Sequence, residues 1–261
     1  MNAAFITHRG AVRPENQDAL CVDGAVRTGD MNSPEFLEVS GRPSLLAVAD
    51  GLGGYGGGAL AARIVADTLS EACRGRIFPD EPNMSADEES LRALFCSALS
   101  RMASAAGEDR SLCRMGAVAA GVLLRERTAL VFNCGDCRVY RISGGVSERL
   151  TREHSVVEAL FESGRIDTDG MRTHPRKNIV TSSISLDMSC NFEIYTRRVS
   201  RCGDDAFFIC SDGVWEALPS DRLAQWLSRD PEESAQGLFD DLMKSQCRDN
   251  VSFIWQTAEN G

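Results

Sequence analysis

The sequence has few histidines and no long apolar run, and these shortages exclude several classes of protein. Only three histidines occur among 261 residues, too few for a histidine-rich metal site or a histidine-based nucleophilic triad. The longest apolar stretches, such as residues 117–124, are far shorter than the about 20 residues that cross a bilayer. The first ten residues lack the basic and apolar regions of a secretory signal, so we expect a cytoplasmic protein.

Basic residues are also in the minority. The chain has 28 lysines and arginines against 38 aspartates and glutamates, which gives a formal net charge of -10. A surface that binds nucleic acid needs a basic patch, so we expect neither a nucleic-acid nor a membrane partner. Hydrophobic residues at 43% and charged residues at 25% are ordinary for a globular protein with a sizeable core.

The ten cysteines are irregularly spaced and do not form a disulfide or zinc framework. Cys134 and Cys137 form one CxxC pair, but a structural zinc site needs four ligands and no second pair completes it. Most of the others lie among apolar residues, where a reduced cysteine behaves as a small buried hydrophobe.

Short β-type runs dominate the chain, bounded by Gly, Asp, Asn or Ser. We predict strands over residues 4–8, 19–23, 44–49, 117–124, 129–133, 139–143, 192–199, 206–210 and 251–257, with a tight hairpin at Ser143–Val146. We predict helices over residues 59–74, 89–106, 155–162, 220–227 and 232–244, the second opened by a capping box at Ser85–Glu88. The two longest helices are consecutive, which favours an α+β fold with antiparallel sheets. Residues 28–43 and 164–178 are predicted as irregular loops.

Five aspartates lie at the ends of predicted strands: Asp18, Asp50, Asp136, Asp212 and Asp249. Each alone is weak, because Asp-Gly is also a common turn dipeptide. Together they would converge on one rim of a sheet, and several close carboxylates resist joint ionisation unless a cation is present. Oxygen ligands favour Mg²⁺ or Mn²⁺ over zinc. Arg13 is either a fork for phosphate oxygens or a solvated loop arginine.

Six motifs occur in one order between residues 5 and 257: Arg13-x-x-Asn16-Gln17-Asp18, Val48-Ala49-Asp50-Gly51-x-Gly53-Gly54, Gly135-Asp136-x-Arg138-x-Tyr140, Leu150-Thr151-x-x-His154-Ser155, Cys210-Ser211-Asp212-Gly213 and Asp249-Asn250-Val251. In this order they resemble the type 2C metal-dependent protein serine/threonine phosphatases (the PPM family). The compact length is similar to that of the bacterial single-domain members. The resemblance implies one catalytic domain over residues 1–261, built as a four-layer α-β-β-α sandwich of two antiparallel sheets flanked by helices. A flap-like segment is expected at about residues 164–180.

The resemblance also implies a centre of two Mn²⁺ or Mg²⁺ ions. Asp50 would bridge them and the Gly51 carbonyl would bind the second ion. Asp212 and Asp249 would bind the first ion, and Asp18 would hold the second mainly through water. Asp136 would hold a third, weaker ion together with Asp212.

The implied reaction is hydrolysis of phosphoserine or phosphothreonine in proteins by in-line attack of a metal-bridging hydroxide, without a phosphoenzyme. Arg13 matches the arginine that grips the phosphate and Asp50 the central catalytic carboxylate. The expected partners are a phosphoprotein substrate and an opposing serine/threonine kinase, and we expect a monomer with a role in signalling. His154 and His174 are expected to be structural loop residues.

The sequence departs from the family pattern at several positions. Neither Leu52 nor Tyr55 is a histidine, so no general acid is assigned to the leaving oxygen. Gly116-Ala117-Val118 replaces Gly-Thr-Thr, and Ser183–Ser185 replaces Ala-Leu-Gly. Two alternatives stay open: a phosphatase-like module that binds a phosphoprotein without turnover, and a phosphatase for a small phosphorylated metabolite.

Overall fold

The computed structural model describes residues 1–39, 43–52, 57–187 and 191–257. The strands in this part of the chain are β1 (Asn2–His8), β2 (Asp18–Val22), β3 (Ala25–Thr28), β4 (Glu35–Glu38), β5 (Ser44–Gly51), β6 (Gly116–Leu124), β7 (Thr128–Cys134), β8 (Arg138–Ser143), β9 (Val146–Arg149), β10 (Ile184–Ser185), β11 (Tyr195–Ser200), β12 (Ala206–Cys210) and β13 (Val251–Gln256). The α-helices are α1 (Gly58–Arg74), α2 (Met84–Ala106), α3 (Val156–Glu162), α4 (Thr168–Thr173), α5 (Asp212–Ala217), α6 (Ser220–Leu227) and α7 (Pro231–Lys244).

The strands form two sheets in which every pair of neighbours is antiparallel. One sheet has the order β4-β1-β13-β12-β8-β9. The other has the order β11-β7-β6-β5-β2-β3, and β10 pairs with β6 beside it. The β8–β9 connection is the predicted hairpin, because Gly144 and Gly145 both take the positive φ that a tight two-residue turn requires.

The layers follow from strands that are apolar on both faces. All nine residues of β6, for example, are buried, so each sheet needs a cover on both sides. One apolar cluster lies between the sheets and includes Val48, Val122 and Ile254. A second joins α1 and α2 to the outer face of the β5–β6 sheet, and a third joins α5, α6 and α7 to the outer face of the other. The predicted four-layer sandwich of two antiparallel sheets is confirmed.

Two predicted loops contain regular structure. Residues 35–38 of the predicted loop 28–43 form β4, an edge strand that pairs with β1, because backbone pairing compensates for its exposed side chains. Residues 40–42 lie outside the described residues. In the flap-like segment, the Asp167 side chain accepts a hydrogen bond from the Gly170 amide and begins α4, so the prediction of an irregular loop is wrong there.

The predicted capping box of α2 is also wrong. The helix begins at Met84, and its N-cap is Asn83, two residues before the predicted cap; the Asn83 side chain accepts a hydrogen bond from the Ala86 amide. Ser85 therefore lies inside the helix. Asparagine caps as well as serine does, so the earlier cap adds helical residues without losing a capping bond. Across the described ranges, no helix is both long and apolar enough to span a bilayer.

Candidate metal centre

Asp18 and Asp50 lie side by side at one end of the β2–β5 pair. They are direct register partners in this antiparallel ladder. Asp18 is buried, with 2% of its surface exposed, and its Oδ2 accepts a hydrogen bond of 2.9 Å from the Ser211 hydroxyl. Two acidic side chains therefore meet where two largely apolar strands end.

Asp212 and Asp249 approach the same place from the other sheet. Asp212 is the first residue of α5, directly after β12, and Asp249 precedes β13. A Cβ atom on Gly213 would lie 2.0 Å from the Asn250 carbonyl oxygen, so only glycine allows the two backbones to come this close. Asp212-Gly213 is thus the start of a helix where two backbone segments come into close contact, and it is not a turn dipeptide, which was the alternative interpretation.

Asp50-Gly51 is likewise no turn, because both residues belong to β5. A Cβ atom on Gly51 would lie 2.3 Å from the Gly58 carbonyl oxygen and 2.7 Å from that of Gln17. The Gly51 backbone is therefore closely enclosed beside the aspartates. Leu52 is half-buried, whereas the motif residues Gly53 and Gly54, and Tyr55 after them, lie outside the described residues.

Asp136 lies in the turn between β7 and β8 and is 5% exposed. His154 holds this turn, since its amide donates to the Gly135 carbonyl at 2.9 Å and its Nδ1 accepts from the Gly135 amide at 3.1 Å. His154 is thus a structural residue of the site, as expected. The Nδ1 atom of His174 accepts from the Arg176 amide within the flap-like segment.

Burial and mutual repulsion disfavour the charged forms of Asp18, Asp50, Asp136 and Asp212. Burial raises the pKa of Asp18 to about 6. Burial, then the neighbouring Glu153, raises the pKa of Asp136 to about 7. The pKa values of Asp50 and Asp212 lie well above the ordinary range, first because of burial and then because of the other aspartates. A bound cation would remove this penalty.

The residues present fit a hard, oxygen-binding ion. Oδ1 of Asp18 and Oδ1 of Asp212 are buried without a hydrogen-bond partner, and an orphaned buried oxygen is costly unless something binds it. In the described ranges, no group of three or more His, Cys, Asp or Glu side chains has a geometry that would hold a metal ion without rearrangement. The donors are nonetheless carboxylate and carbonyl oxygens, the ligand type of Mg²⁺ and Mn²⁺.

Arg13 is bound to one of the aspartates rather than solvated alone. Its Nε and Nη2 donate to Oδ1 and Oδ2 of Asp249 at 2.9 and 2.5 Å. This fork raises the pKa of Arg13, although half of the side chain remains exposed. A guanidinium that can grip two oxygens of one group therefore lies at the rim of the aspartate cluster.

Asn250 is a functional residue to which sequence reasoning gave no role. Its Oδ1 accepts from the Gln17 amide at 2.9 Å, and its Nδ2 donates to the carbonyls of Arg9 and Glu15 at 3.0 and 2.9 Å. One side chain thus ties the loop that carries Arg13 to the loop that carries Asp249. The sequence offered one indication of this role, which is that Asn250 directly follows the predicted metal ligand Asp249.

Arg138 stabilises the region behind the cluster. Its guanidinium lies 3.6 Å from the ring centroid of Trp215, and its Nε donates to the buried Glu153 at 2.6 Å. Trp215 belongs to α5, which begins at Asp212, so this contact connects the strand that follows the Asp136 turn to the helix that begins at Asp212.

A family model described as protein phosphatase 2C matches residues 25–246. The serine/threonine phosphatase stp of Listeria monocytogenes is 27% identical over 229 residues, which covers 87% of this chain and 83% of that protein. PppA of Pseudomonas aeruginosa superposes with a TM-score of 0.74 at 26% identity, over 98% of this chain and 96% of PppA. The catalytic domain of the phosphatase PstP, in complex with two manganese ions, superposes with a TM-score of 0.74 at 22% identity, over 99% and 98% of the chains. The chain therefore belongs to the protein phosphatase 2C family of serine/threonine phosphatases.

Proposed function

We propose that this protein is a Mn²⁺- or Mg²⁺-dependent phosphatase that hydrolyses phosphoserine and phosphothreonine in proteins by in-line attack of an activated water, without a phosphoenzyme. One observation carries the proposal: aspartates from both sheets interact at one end of the sandwich, and Asp18 and Asp212 each have a buried oxygen without a partner, beside the arginine fork.

Under this proposal each aspartate has a role. Asp50 would bridge two ions, and Asp212 and Asp249 would bind the first of them. Asp18 and the Gly51 carbonyl would serve the second. When bound, the two ions would lower the pKa of a water towards about 7 and neutralise charge on the phosphate oxygens. The two manganese ions in the related PstP domain support this assignment.

The remaining predicted ligand, Asp136, would serve a third and weaker ion together with Asp212. It lies in a turn rather than in a strand, and His154 holds that turn. Its raised pKa implies that it takes up a proton more readily than an exposed aspartate when no ion is bound.

Arg13 would bind the phosphate group of the substrate. In the structure its fork grips Asp249, and a carboxylate and a phosphate offer the same pair of oxygens to a guanidinium. In the working enzyme Asp249 would hold a cation and Arg13 would hold the phosphate. The half-exposed side chain of Arg13 can make this change of partner without leaving the rim.

The cysteines near the site are poor candidates for a covalent intermediate. Burial raises the pKa of Cys134 to about 12 and raises the pKa of Cys137 well above its ordinary value. The thiolate is the nucleophilic form, so neither residue would be reactive near neutral pH. This supports direct attack by water.

The physiological setting follows from the same assignment. We infer a phosphoprotein substrate, a serine/threonine kinase whose action the enzyme reverses in a signalling process, and a monomer in the cytoplasm. The acidic composition, with a net charge of -10, supports the inference that neither nucleic acid nor a membrane surface is the partner.

The test is release of phosphate from a phosphothreonine peptide by the purified protein. We expect turnover with Mn²⁺, and none with EDTA or with Asp50→Asn, while the exposed control Asp80→Asn retains full activity. Near-full activity of Asp50→Asn would refute the assignment. Mn²⁺ binding without phosphate release would instead favour a module that binds phosphoproteins. Faster hydrolysis of a small phosphorylated metabolite than of the peptide would favour a phosphatase whose substrate is such a metabolite.

A further inference from the structure

A cavity of about 240 Å³ lies directly beside the candidate metal centre. Its walls come from the flap-like segment, from α5 and from the loop before β13. Asp249 lines both the cavity and the aspartate cluster. A peptide with its phosphate at the metal centre would therefore place a neighbouring side chain at this cavity.

Three of the charged groups in its wall already have an ion-pair partner. Lys177 of the flap-like segment forms an ion pair with Glu216 of α5, and both oxygens of Asp249 accept hydrogen bonds from Arg13. These pairs leave Arg172 and Arg248 to set the charge of the cavity.

Neither remaining arginine has a close carboxylate partner. The Nε atom of Arg172 is buried without a hydrogen-bond partner, and its contact with Asp169 is long, at 3.9 Å, with a carboxylate that is 62% exposed. Arg248 is exposed, and no ion pair of it occurs in the described part of the chain. Two positive charges, one with only a long, exposed ion pair and one with none, thus flank one cavity in a chain whose net charge is -10.

We propose that this cavity binds an acidic side chain of the substrate protein, close in sequence to the phosphorylated residue. An extended peptide advances about 3.3 Å per residue, so the acidic residue would be one to three positions away. Arg172 and Arg248 are then specificity-determining residues. The inference rests on the proposed function, because it assumes that a phosphopeptide lies across the metal centre.

The test compares phosphothreonine peptides that carry glutamate, alanine or lysine one to three positions before or after the phosphothreonine. We expect the wild-type protein to prefer a glutamate peptide over its alanine counterpart by about two- to fivefold in kcat/KM, chiefly through KM, as exposed charge pairs allow. The preference should shrink in 1 M salt, where screening shortens the reach of charge to about 3 Å.

Charge reversal provides the decisive arm. The double variant Arg172→Glu and Arg248→Glu should prefer the lysine peptide, and Arg248→Gln alone should reduce the glutamate preference. Arg198→Glu, on the exposed part of β11, is the matched control and should keep the wild-type ratio. A wild-type protein that hydrolyses all peptides equally, or a folded double variant with an unchanged ratio, would overturn the inference and leave the proposed function standing. Failure to hydrolyse any phosphopeptide would refute the proposed function, and with it this inference.

Discussion

Asp136→Asn should stabilise the metal-free protein while weakening its metal centre. Asp136 is 5% exposed, and burial and Glu153 raise its pKa from 3.8 to about 7. A carboxyl with a raised pKa stabilises the folded state when it is protonated. That contribution is full below the unfolded pKa and is lost as the pH rises through the folded pKa.

The size of the effect follows from the shift of the pKa. Each unit is worth about 1.36 kcal/mol, so, relative to an unshifted carboxyl, the charged folded form lowers the free energy of unfolding by roughly 4 kcal/mol at pH 8. At pH 5, where folded Asp136 is protonated, the proton that it must take up on folding favours the folded state, and the lowering is only roughly 2 kcal/mol. The metal-free protein should therefore lose about 2 to 3 kcal/mol between these two pH values from this residue alone. For a chain of this size, that equals a decrease in Tm of roughly 4 to 12 °C.

The assay is urea unfolding in EDTA at pH 5 and pH 8 for the wild type, Asp136→Asn and the exposed control Asp80→Asn. We expect the asparagine at position 136 to raise the free energy of unfolding more at pH 8 than at pH 5, and the control to change neither. Equal unfolding curves for wild type and Asp136→Asn at pH 8 would refute the argument that this carboxylate is buried against other charges.

Three further substitutions test separate parts of the structure. Arg13→Ala should raise KM by about tenfold or more, as loss of a charge-assisted bond predicts. An unchanged KM in steady-state assays would mean that Arg13 is a solvated loop arginine that does not bind the phosphate. Gly213→Ala should lower kcat by about 100-fold, because its Cβ would force the start of α5 away from the segment that carries Asp249 and Asn250. The control Gly203→Ala, which has open space around it, should match the wild type. Arg125→Leu leaves the buried Asp87 carboxylate without its two hydrogen bonds and should cost about 3 to 5 kcal/mol in urea unfolding; a loss below about 1 kcal/mol would contradict the assigned burial.

Much of the site could be predicted because its residues lie at the ends of strongly apolar strands. The runs that end at Asp50 and Asp212 are apolar enough to be recognised as strands from the sequence alone. When two antiparallel sheets pack face to face, these strand ends lie at the same end of the sandwich. What the spacing could not show is that Asp18 and Asp50 are register partners, because register depends on pairing between distant segments.

The parts that could not be predicted depend on contacts distant in sequence or on competing local signals. Residues 35–38 have two glutamates and become a strand only because β1 offers an unpaired edge. Ser85 and Asn83 are both good caps, and the choice between them depends on packing. The role of Asn250 arises from hydrogen bonds to residues more than 230 positions away, which no local pattern contains.

Calorimetric titration of Mn²⁺ into the metal-free protein at pH 6.5 is the most direct test of the central claim, that the aspartates of the two sheets form a metal centre. We expect two tightly bound ions and a third, weaker one. In buffers of different ionisation enthalpy, binding should release protons, because the raised pKa values of Asp18 and Asp136 leave them partly protonated before ligation. The proton of Asp136 should be released with the weaker ion. Asp50→Asn should lose this binding. Absence of Mn²⁺ binding, or binding that Asp50→Asn leaves unchanged, would contradict the account.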